Sequence, residues 1–104
     1  TCTMENNFDI TAAELKSLLE GNESVHLIDV RNPDEYEEDN LGGTLIPLGD
    51  LTDRLDELEA LKGQDIYIHC RSGARSARAK DILLSEGFEK VHNVTGGIMA
   101  YREL

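Results

Sequence analysis

The sequence predicts an α/β fold with a mostly parallel β-sheet, because short apolar runs alternate with segments of helical spacing. Residues 25–30 read Val-His-Leu-Ile-Asp-Val, and such a nearly continuous apolar run is typical of a strand buried on both faces. A second run, Ile66–His69, is short, β-prone and bounded by polar residues. A chain of 104 residues is long enough for one domain with its own core. We therefore expect a single domain at residues 10–104, preceded by an N-terminal tail at residues 1–9.

The first helix is predicted to begin at a capping box, in which Thr11 and Glu14 satisfy each other's backbone donors. Three leucines then form an apolar stripe, and Gly21 is placed to end the helix. A second helix start follows the first strand, where Asn32 can cap the helix and Pro33 occupies its first position. The first helix is predicted to be part of the scaffold, and Tyr36 is predicted to be the buried residue of the short second helix.

The second half of the chain continues this alternation. Residues 45–48, Leu-Ile-Pro-Leu, predict a short edge strand, where proline is tolerated. Leucines follow at helical spacing in residues 51–61, and the acidic residues opposite them predict a solvated face or, as an alternative, a partner-docking surface. Helical spacing returns at residues 76–86. A last strand is predicted at residues 91–94 and a terminal helical turn at residues 98–101.

The candidate chemistry lies in the loop that joins Ile66–His69 to the following helix. Cys70 stands where the strand ends, and the free N–H groups and positive dipole end of a helix start favour an anion there. A thiolate or a sulfur-derived anion would be stabilised at this position. Arg71 and Arg75 add positive charge, and Gly73 permits the positive φ angle that a tight cradle of N–H groups requires. The candidate anion-binding residues are Arg71, Ser72, Gly73, Ala74, Arg75 and Ser76.

A free cysteine is often only a small buried hydrophobe, and this is the structural alternative for Cys70. Its neighbours favour catalysis, since burying two arginines without an anion to meet would be costly. Residues 70–80 contain four basic and no acidic side chains, in a chain with 21 acidic and 10 basic residues. This segment is therefore positively charged, whereas the chain as a whole is negatively charged.

Asp29 lies near the end of a predicted buried strand, where an unpaired carboxylate costs on the order of several kcal/mol. A local salt bridge or turn contact would satisfy it. The alternative is that Asp29 and Arg31 support the loop that carries Cys70. Because the carboxyl ends of parallel strands share one edge of the sheet, the ends of this strand and of Ile66–His69 are expected to be neighbours.

Three motifs in this order resemble the rhodanese, or sulfurtransferase, family. They are Cys-x-x-x-x-Arg at Cys70–Arg75, Asp29-Val30-Arg31 about forty residues upstream, and Gly96-Gly97 near the end. The resemblance covers about Ile10–Tyr101, as one single-domain module. It implies a rhodanese-like α/β fold, with a central mostly parallel sheet of about five short strands and helices on both faces. It also favours Asp29 and Arg31 as supports of the active-site loop and brings the two glycines close to that loop.

One stretch departs from the family's usual pattern. Many rhodaneses carry a Gly-His-Ile-x-Gly-Ala type stretch, and the corresponding residues Asp39–Thr44 place Asn40 where histidine is usual. The form Asn-Leu-Gly-Gly-Thr-Leu-Ile-Pro-Leu is similar to rhodanese domains appended to adenylyltransferases of molybdopterin and thiamine biosynthesis. The resemblance therefore implies either a stand-alone rhodanese or a domain of a longer enzyme.

The resemblance implies a sulfurtransferase that works through a persulfide. Cys70 would attack the outer sulfur of a donor such as thiosulfate or a protein persulfide, and would keep that sulfur. The loop N–H groups would stabilise the persulfide anion, Arg75 would fix the loop and add charge, and Arg71 would attract the anionic donor. A thiol, cyanide or a protein would accept the sulfur, and no cofactor is needed.

Three alternatives stay open. Phosphatase or arsenate reductase chemistry uses the Cys-x5-Arg loop, which is one residue longer than this loop and leaves more room for a tetrahedral oxyanion. A non-catalytic binding module would keep the loop only as architecture, and the intact Cys70 argues against it. A carrier domain of a larger enzyme would keep the same chemistry and change the partners.

The formal net charge of −11 argues against nucleic acid or an anionic membrane as the main partner. No apolar run approaches the roughly 20 residues of a membrane span and no signal segment is visible, so a cytoplasmic protein is expected. The three histidines, at positions 26, 69 and 92, lack zinc-like ligand spacing, so no metal site is expected. Cys2 lies in the tail and is expected to have no catalytic role, with a resolving thiol for Cys70 as the alternative.

Overall fold

The computed structural model describes residues 9–21 and 25–104 and confirms an α/β fold around one central sheet. The strands are β1 Ile10–Thr11, β2 His26–Asp29, β3 Thr44–Leu45, β4 Ile66–His69 and β5 Val91–Thr95. They lie in the order β1-β5-β4-β2-β3, and every neighbouring pair runs parallel. The sheet is therefore wholly parallel among the described strands, whereas the sequence predicted a mostly parallel one.

Helices cover both faces of the sheet, as the family resemblance implied. They are α1 Ala12–Gly21, α2 Pro33–Glu38, α3 Ala74–Ser85 and α4 Gly97–Arg102, together with a 3-10 helix at Leu48–Leu61. The 3-10 helix and α3 pack on the face that carries Ile66 and Ile68. On the opposite face, α1 and α4 pack against Leu27 and Val94. Alternate strand residues therefore contribute to two separate parts of the core.

Capping boxes start the first two α-helices. The sequence predicted the first box, and at the second helix it predicted only the cap at Asn32 and the first helical residue Pro33. At α1, the Thr11 N–H donates to the Glu14 carboxylate at 2.8 Å and the Glu14 N–H donates to the Thr11 hydroxyl at 3.1 Å. At α2, the Asn32 N–H donates to the Glu35 carboxylate at 3.0 Å, and Pro33 is the first helical residue. These hydrogen bonds satisfy donors that the helices themselves leave free.

Three elements differ from the sequence prediction. Strand β1 has two residues and was not predicted, because so short a segment shows no periodicity. The predicted strand at residues 45–48 is the edge strand Thr44–Leu45, which ends before Pro47, a residue without an N–H to donate. The leucine-rich segment Leu48–Leu61 forms 3-10 turns, and the backbone of Arg54, with φ −119° and ψ 18°, interrupts it.

The carboxyl ends of β2 and β4 are neighbours, as expected for parallel strands. Asp29 pairs in register with His69, and the Val30 N–H donates to the His69 carbonyl at 3.1 Å. Asp29 therefore lies next to the residue that precedes Cys70. Among the described residues, no helix is long and apolar enough to cross a membrane. Cys2 lies outside the described residues, so its role stays a prediction.

Candidate active site

Cys70 is the first residue after β4, and its loop leads directly into α3. Gly73 precedes the helix with φ +114°, a left-handed conformation that glycine adopts without strain. This turn directs the first N–H groups of α3 back toward the cysteine. The sequence predicted both the positive φ angle and the strand-to-helix junction.

The sulfur of Cys70 is buried and surrounded by hydrogen-bond donors. Only 1% of the residue is exposed. The backbone nitrogens of Gly73 and Ser76 lie 3.1 and 3.4 Å from Sγ, and the Ser76 hydroxyl oxygen lies 3.5 Å from it. Burial raises the pKa of the thiol, but hydrogen bonds from Ser76, Gly73 and Ser72 outweigh this effect and hold the pKa below its usual value. The arrangement favours an anionic sulfur in a place that water scarcely reaches.

The guanidinium of Arg75 forms a two-bond ion pair with Glu35 of α2, at 2.8 and 3.0 Å. These bonds, with a smaller contribution from the Asn32 N–H, lower the pKa of Glu35 to about 2. Arg75 was predicted to fix the loop and to add charge. The pair suits the first role, because it ties the start of α3 to α2, but Glu35 offsets much of the added charge. Glu35 lies 40 residues from Arg75 in the chain, so local spacing did not reveal this partner.

Arg71, Ser72 and Ala74 are exposed on the outer side of the loop. Within the part of the chain that the structure describes, no carboxylate forms an ion pair with Arg71. Its side chain lines an open pocket of about 320 Å³ together with Met99 and Arg102. Two further kinds of charged residue line the same pocket, the arginine Arg31 and the carboxylates of Glu35, Glu38, Asp39 and Glu103. The exposure of Arg71 is compatible with its predicted role in attracting an anionic donor, but the mixed charge of the pocket does not favour an anion by itself.

Gly97 closes the loop from the side of α4. The Ile98 N–H donates to the Cys70 carbonyl at 2.9 Å, and the Met99 N–H donates to the Arg71 carbonyl at 3.1 Å. A β-carbon on Gly97 would overlap the carbonyl oxygens of both loop residues. The close approach of the two glycines to the loop, which the resemblance implied, is thus present in the structure.

Asp29 and Arg31 form a buried ion pair at the carboxyl end of β2. The Arg31 Nε and Nη2 atoms lie 2.9 and 2.7 Å from the Asp29 carboxylate oxygens, and Nη2 also donates to the Asp39 carbonyl at 2.7 Å. A local salt bridge, the first of the two alternatives for Asp29, is therefore present. The described hydrogen bonds of this pair do not include residues 71–76, so direct support of the loop stays a prediction.

His69 lies between that ion pair and Cys70. Its ring is fully buried, with Nε2 3.7 Å from the Asp29 carboxylate and Nδ1 3.4 Å from the Cys70 carbonyl oxygen. Among the described residues, Nε2 has no hydrogen-bond partner. Burial lowers the pKa of His69, so the imidazole is neutral near pH 7. His69 therefore connects the ion pair to the cysteine by packing and adds no charge at that pH.

The Ser76 hydroxyl contacts a second polar side chain, which the sequence analysis did not select. Its oxygen lies 2.5 Å from Oδ1 of Asn93, a residue of β5, and 3.2 Å from the Gly73 carbonyl oxygen. Both Ser76 and Asn93 are buried. The sequence could have indicated Asn93, because it is a polar residue in a strand whose valines lie in the core. A buried polar side chain needs a hydrogen-bond partner.

Across residues 9–21 and 25–104, no three His, Cys, Asp or Glu side chains are placed to hold a metal ion together. The donors of the loop instead converge on a single sulfur atom. Such an arrangement can activate a thiolate as a nucleophile and can stabilise a small sulfur anion.

Comparison with known proteins identifies the relatives of this chain. A model of the rhodanese-like domain family matches residues 11–104. A protein of Allochromatium vinosum named sulfurtransferase is 35% identical over 94 residues, which cover 89% of this chain and 86% of that protein. YrkF of Bacillus subtilis is 37% identical over 91 residues, which cover 86% of this chain. The same match covers 48% of YrkF, so the chain spans about half the length of that relative.

Solved structures share this architecture. The crystal structure of a rhodanese-like domain protein from Staphylococcus aureus matches with a TM-score of 0.82 and 32% sequence identity. The match covers 91% of this chain and 90% of that one.

Proposed function

The chain belongs to the rhodanese family, and we propose that it is a sulfurtransferase that carries sulfur as a persulfide on Cys70. The relative named sulfurtransferase supports the general class. The observation that carries the proposal is the group of donors around the Cys70 sulfur, two N–H groups and one hydroxyl within 3.5 Å. Together with the lowered pKa, they favour the thiolate, which is the nucleophilic form of cysteine.

The proposed reaction consists of two transfers. In the first, the Cys70 thiolate attacks the outer sulfur of thiosulfate, the S–S bond of the donor breaks, and sulfite leaves with the bonding electrons. Cys70 then holds a persulfide. In the second, cyanide or a thiol attacks the outer sulfur and leaves as thiocyanate or as a new persulfide. The Cys70 thiolate is regenerated, so the cycle needs no external oxidant or reductant.

The loop would stabilise the persulfide anion in the way that an oxyanion hole stabilises an alkoxide. The N–H groups of Ser72, Gly73 and Ser76 and the start of α3 would supply the positive field. Arg75 would hold the loop in place through Glu35, and Arg71 would draw anionic donors to the loop.

The charge of the protein favours a particular class of donor. A net charge of −11 repels free thiosulfate at long range, and Glu35 offsets the charge of Arg75. Acidic residues are also exposed along the 3-10 helix. We therefore propose that a basic protein bearing a persulfide is the donor in the cell, and that thiosulfate serves as a donor in assays.

The formation of thiocyanate from thiosulfate and cyanide tests the activity. We expect turnover in the parent protein and in Cys2→Ser, and none in Cys70→Ser. Turnover that survives Cys70→Ser would exclude Cys70 as the carrier. Cys70-dependent hydrolysis of an aryl phosphate without thiocyanate formation would instead support the phosphatase alternative.

A further inference from the structure

Ser76 and Asn93 form a buried polar pair beside the Cys70 sulfur. The Ser76 hydroxyl oxygen lies 2.5 Å from Asn93 Oδ1, 3.2 Å from the Gly73 carbonyl oxygen and 3.5 Å from Cys70 Sγ. The Asn93 Nδ2 atom lies 3.5 Å from the same Gly73 oxygen. Ser76 is 0% exposed and Asn93 6% exposed, so water cannot readily replace a lost partner. One hydroxyl proton therefore has three acceptors within reach.

The charge on the sulfur decides in which direction these hydrogen bonds run. When Cys70 is a thiol, its S–H can donate to the Ser76 oxygen while the Ser76 hydroxyl donates to Asn93 Oδ1. An anionic sulfur only accepts hydrogen bonds, so the Ser76 hydroxyl must turn toward it. The Ser76 oxygen and Asn93 Oδ1 would then face each other as two acceptors at 2.5 Å, an arrangement that is unfavourable in a buried site.

We propose that Asn93 is a positioning residue whose side-chain amide rotates by half a turn when Cys70 becomes anionic. The rotation places Nδ2 beside Ser76, so that Asn93 donates to Ser76 and Ser76 donates to the sulfur. The inference rests on the proposed function only in requiring that Cys70 acts as an anion. It applies equally to a thiolate and to a persulfide.

The surroundings of Asn93 permit this rotation. The rotation brings Oδ1 to the place of Nδ2, so the Gly73 carbonyl exchanges a long donor contact at 3.5 Å for an acceptor at a similar distance. Two acceptors repel less at this distance than the pair at 2.5 Å that the rotation removes, and the carbonyl keeps the hydrogen bond from the Ala77 N–H at 3.0 Å. The backbone of Asn93 stays in place, because its N–H donates to the Asp9 carboxylate at 3.1 Å. Asparagine also suits the task chemically, since its amide offers a donor and an acceptor of nearly the same shape.

The first test measures the pKa of the Cys70 thiol from the pH dependence of its alkylation by iodoacetamide, in a Cys2→Ser background. We expect Ser76→Ala to raise this pKa by about one pH unit, and Asn93→Ala to raise it by a smaller amount. In the double variant, Asn93→Ala should add nothing to Ser76→Ala, because Asn93 acts through the hydroxyl. The proposal would be overturned if Asn93→Ala raised the pKa of Cys70 equally in the presence of Ser76 and in the Ser76→Ala background. It would also be overturned if Asn93→Ala left this pKa unchanged.

Asn40→Ala is the matched control. The Asn40 amide also forms two hydrogen bonds with backbone groups, to the Tyr36 carbonyl and from the Gly42 N–H, but it does not contact Ser76. Its loss should leave the pKa of Cys70 unchanged. Asn40 is only half-buried, so the control matches the loss of a hydrogen-bonded amide and not its burial. A shift as large as that of Asn93→Ala would show that the effect is a general consequence of losing such an amide.

A second test needs no change at Asn93. The side-chain NH₂ resonances of Asn93 in the parent protein should titrate with the same midpoint as Cys70. The pH-dependent change in these chemical shifts should be absent in Cys70→Ala and smaller in Ser76→Ala than in the parent protein. NH₂ resonances that stay constant while Cys70 ionises would contradict the rotation. Neither test uses sulfur transfer, so a failure of the proposed activity is distinguished from a failure of this inference.

Discussion

Gly97 lies against the carbonyl oxygen of Cys70 so closely that no side chain fits between them. The backbone there has φ +58°, and the next N–H, from Ile98, donates to the same carbonyl at 2.9 Å. The start of α4 is thereby fixed to the loop that carries the sulfur. The position of Cys70 thus depends on a glycine 27 residues further along the chain, as their numbers in the sequence show.

Gly97→Ala is expected to lower the free energy of unfolding by about 3 kcal/mol, because a methyl group would overlap two backbone carbonyls that cannot rotate away. Gly42→Ala is the matched control. Gly42 also has a positive φ, +86°, but nothing lies within 4 Å of its β-carbon position. Only backbone strain, about 1 kcal/mol, is expected there. Urea unfolding measures the free energy of unfolding of both variants. Equal losses of stability would contradict the close packing of Gly97 against the loop.

Glu35→Gln removes the ion pair with Arg75. We expect the free energy of unfolding of this variant to depend less on pH in the acid range. The pKa of Glu35 is about 2 in the folded protein and about 4.5 without its partners, so the unfolded state binds more protons between these values. The contribution of the pair is therefore complete above pH 4.5 and is lost as the pH falls toward 2. We expect Glu35→Gln to cost about 2 kcal/mol at pH 7 after allowance for solvent screening, and much less near pH 2.

Glu57→Gln is the control for this prediction. Glu57 also pairs with an arginine, Arg54, but the pair lies on the solvent-exposed side of the 3-10 helix. Its removal should change little at any pH. Unfolding curves measured across the pH range would refute the assignment if both variants behaved alike.

Arg71→Gln is expected to slow the reaction with an anionic donor and to leave the reactivity of the thiolate unchanged. Arg71 is exposed, so we expect it to act on an anionic donor through long-range attraction. We expect a roughly tenfold loss in kcat/KM for thiosulfate at low salt, which largely disappears at 1 M salt where the Debye length is about 3 Å. Alkylation by neutral iodoacetamide should be unaffected. Arg78→Gln, which removes an exposed cation from α3 instead of from the loop, should have a smaller effect on thiosulfate.

The parts of the fold that follow from local chemistry could be predicted from the sequence. Residues close together in the chain determine the capping box of α1, the start of α2 at Pro33, the buried strands and the left-handed Gly73. The predicted parallel sheet also indicated that Asp29 and Cys70 belong at one edge, because the carboxyl ends of parallel strands share an edge. The pairing of Asp29 with His69 confirms that expectation.

The remaining features depend on contacts between distant residues. Strand β1 forms because Ile10 and Thr11 pair with the end of β5. The sequence around Ile10 and Thr11 gives no indication of this distant partner. The ion pair of Arg75 with Glu35 and the hydrogen bond of Ser76 with Asn93 join residues 40 and 17 positions apart. Such partners are selected by the geometry of the assembled sheet and helices. A polar residue in a buried strand could have indicated Asn93, but its partner could not be identified before the strands were placed.

Sulfur transfer through Cys70 is tested most directly by the intact mass of the reduced protein before and after exposure to a persulfide donor or thiosulfate. If Cys70 carries sulfur as a persulfide, the parent gains one sulfur atom, cyanide or a thiol removes it, and Cys70→Ser gains none. A parent protein that gains no sulfur from either donor, or a Cys70→Ser variant that gains as much as the parent, would contradict sulfur transfer through Cys70.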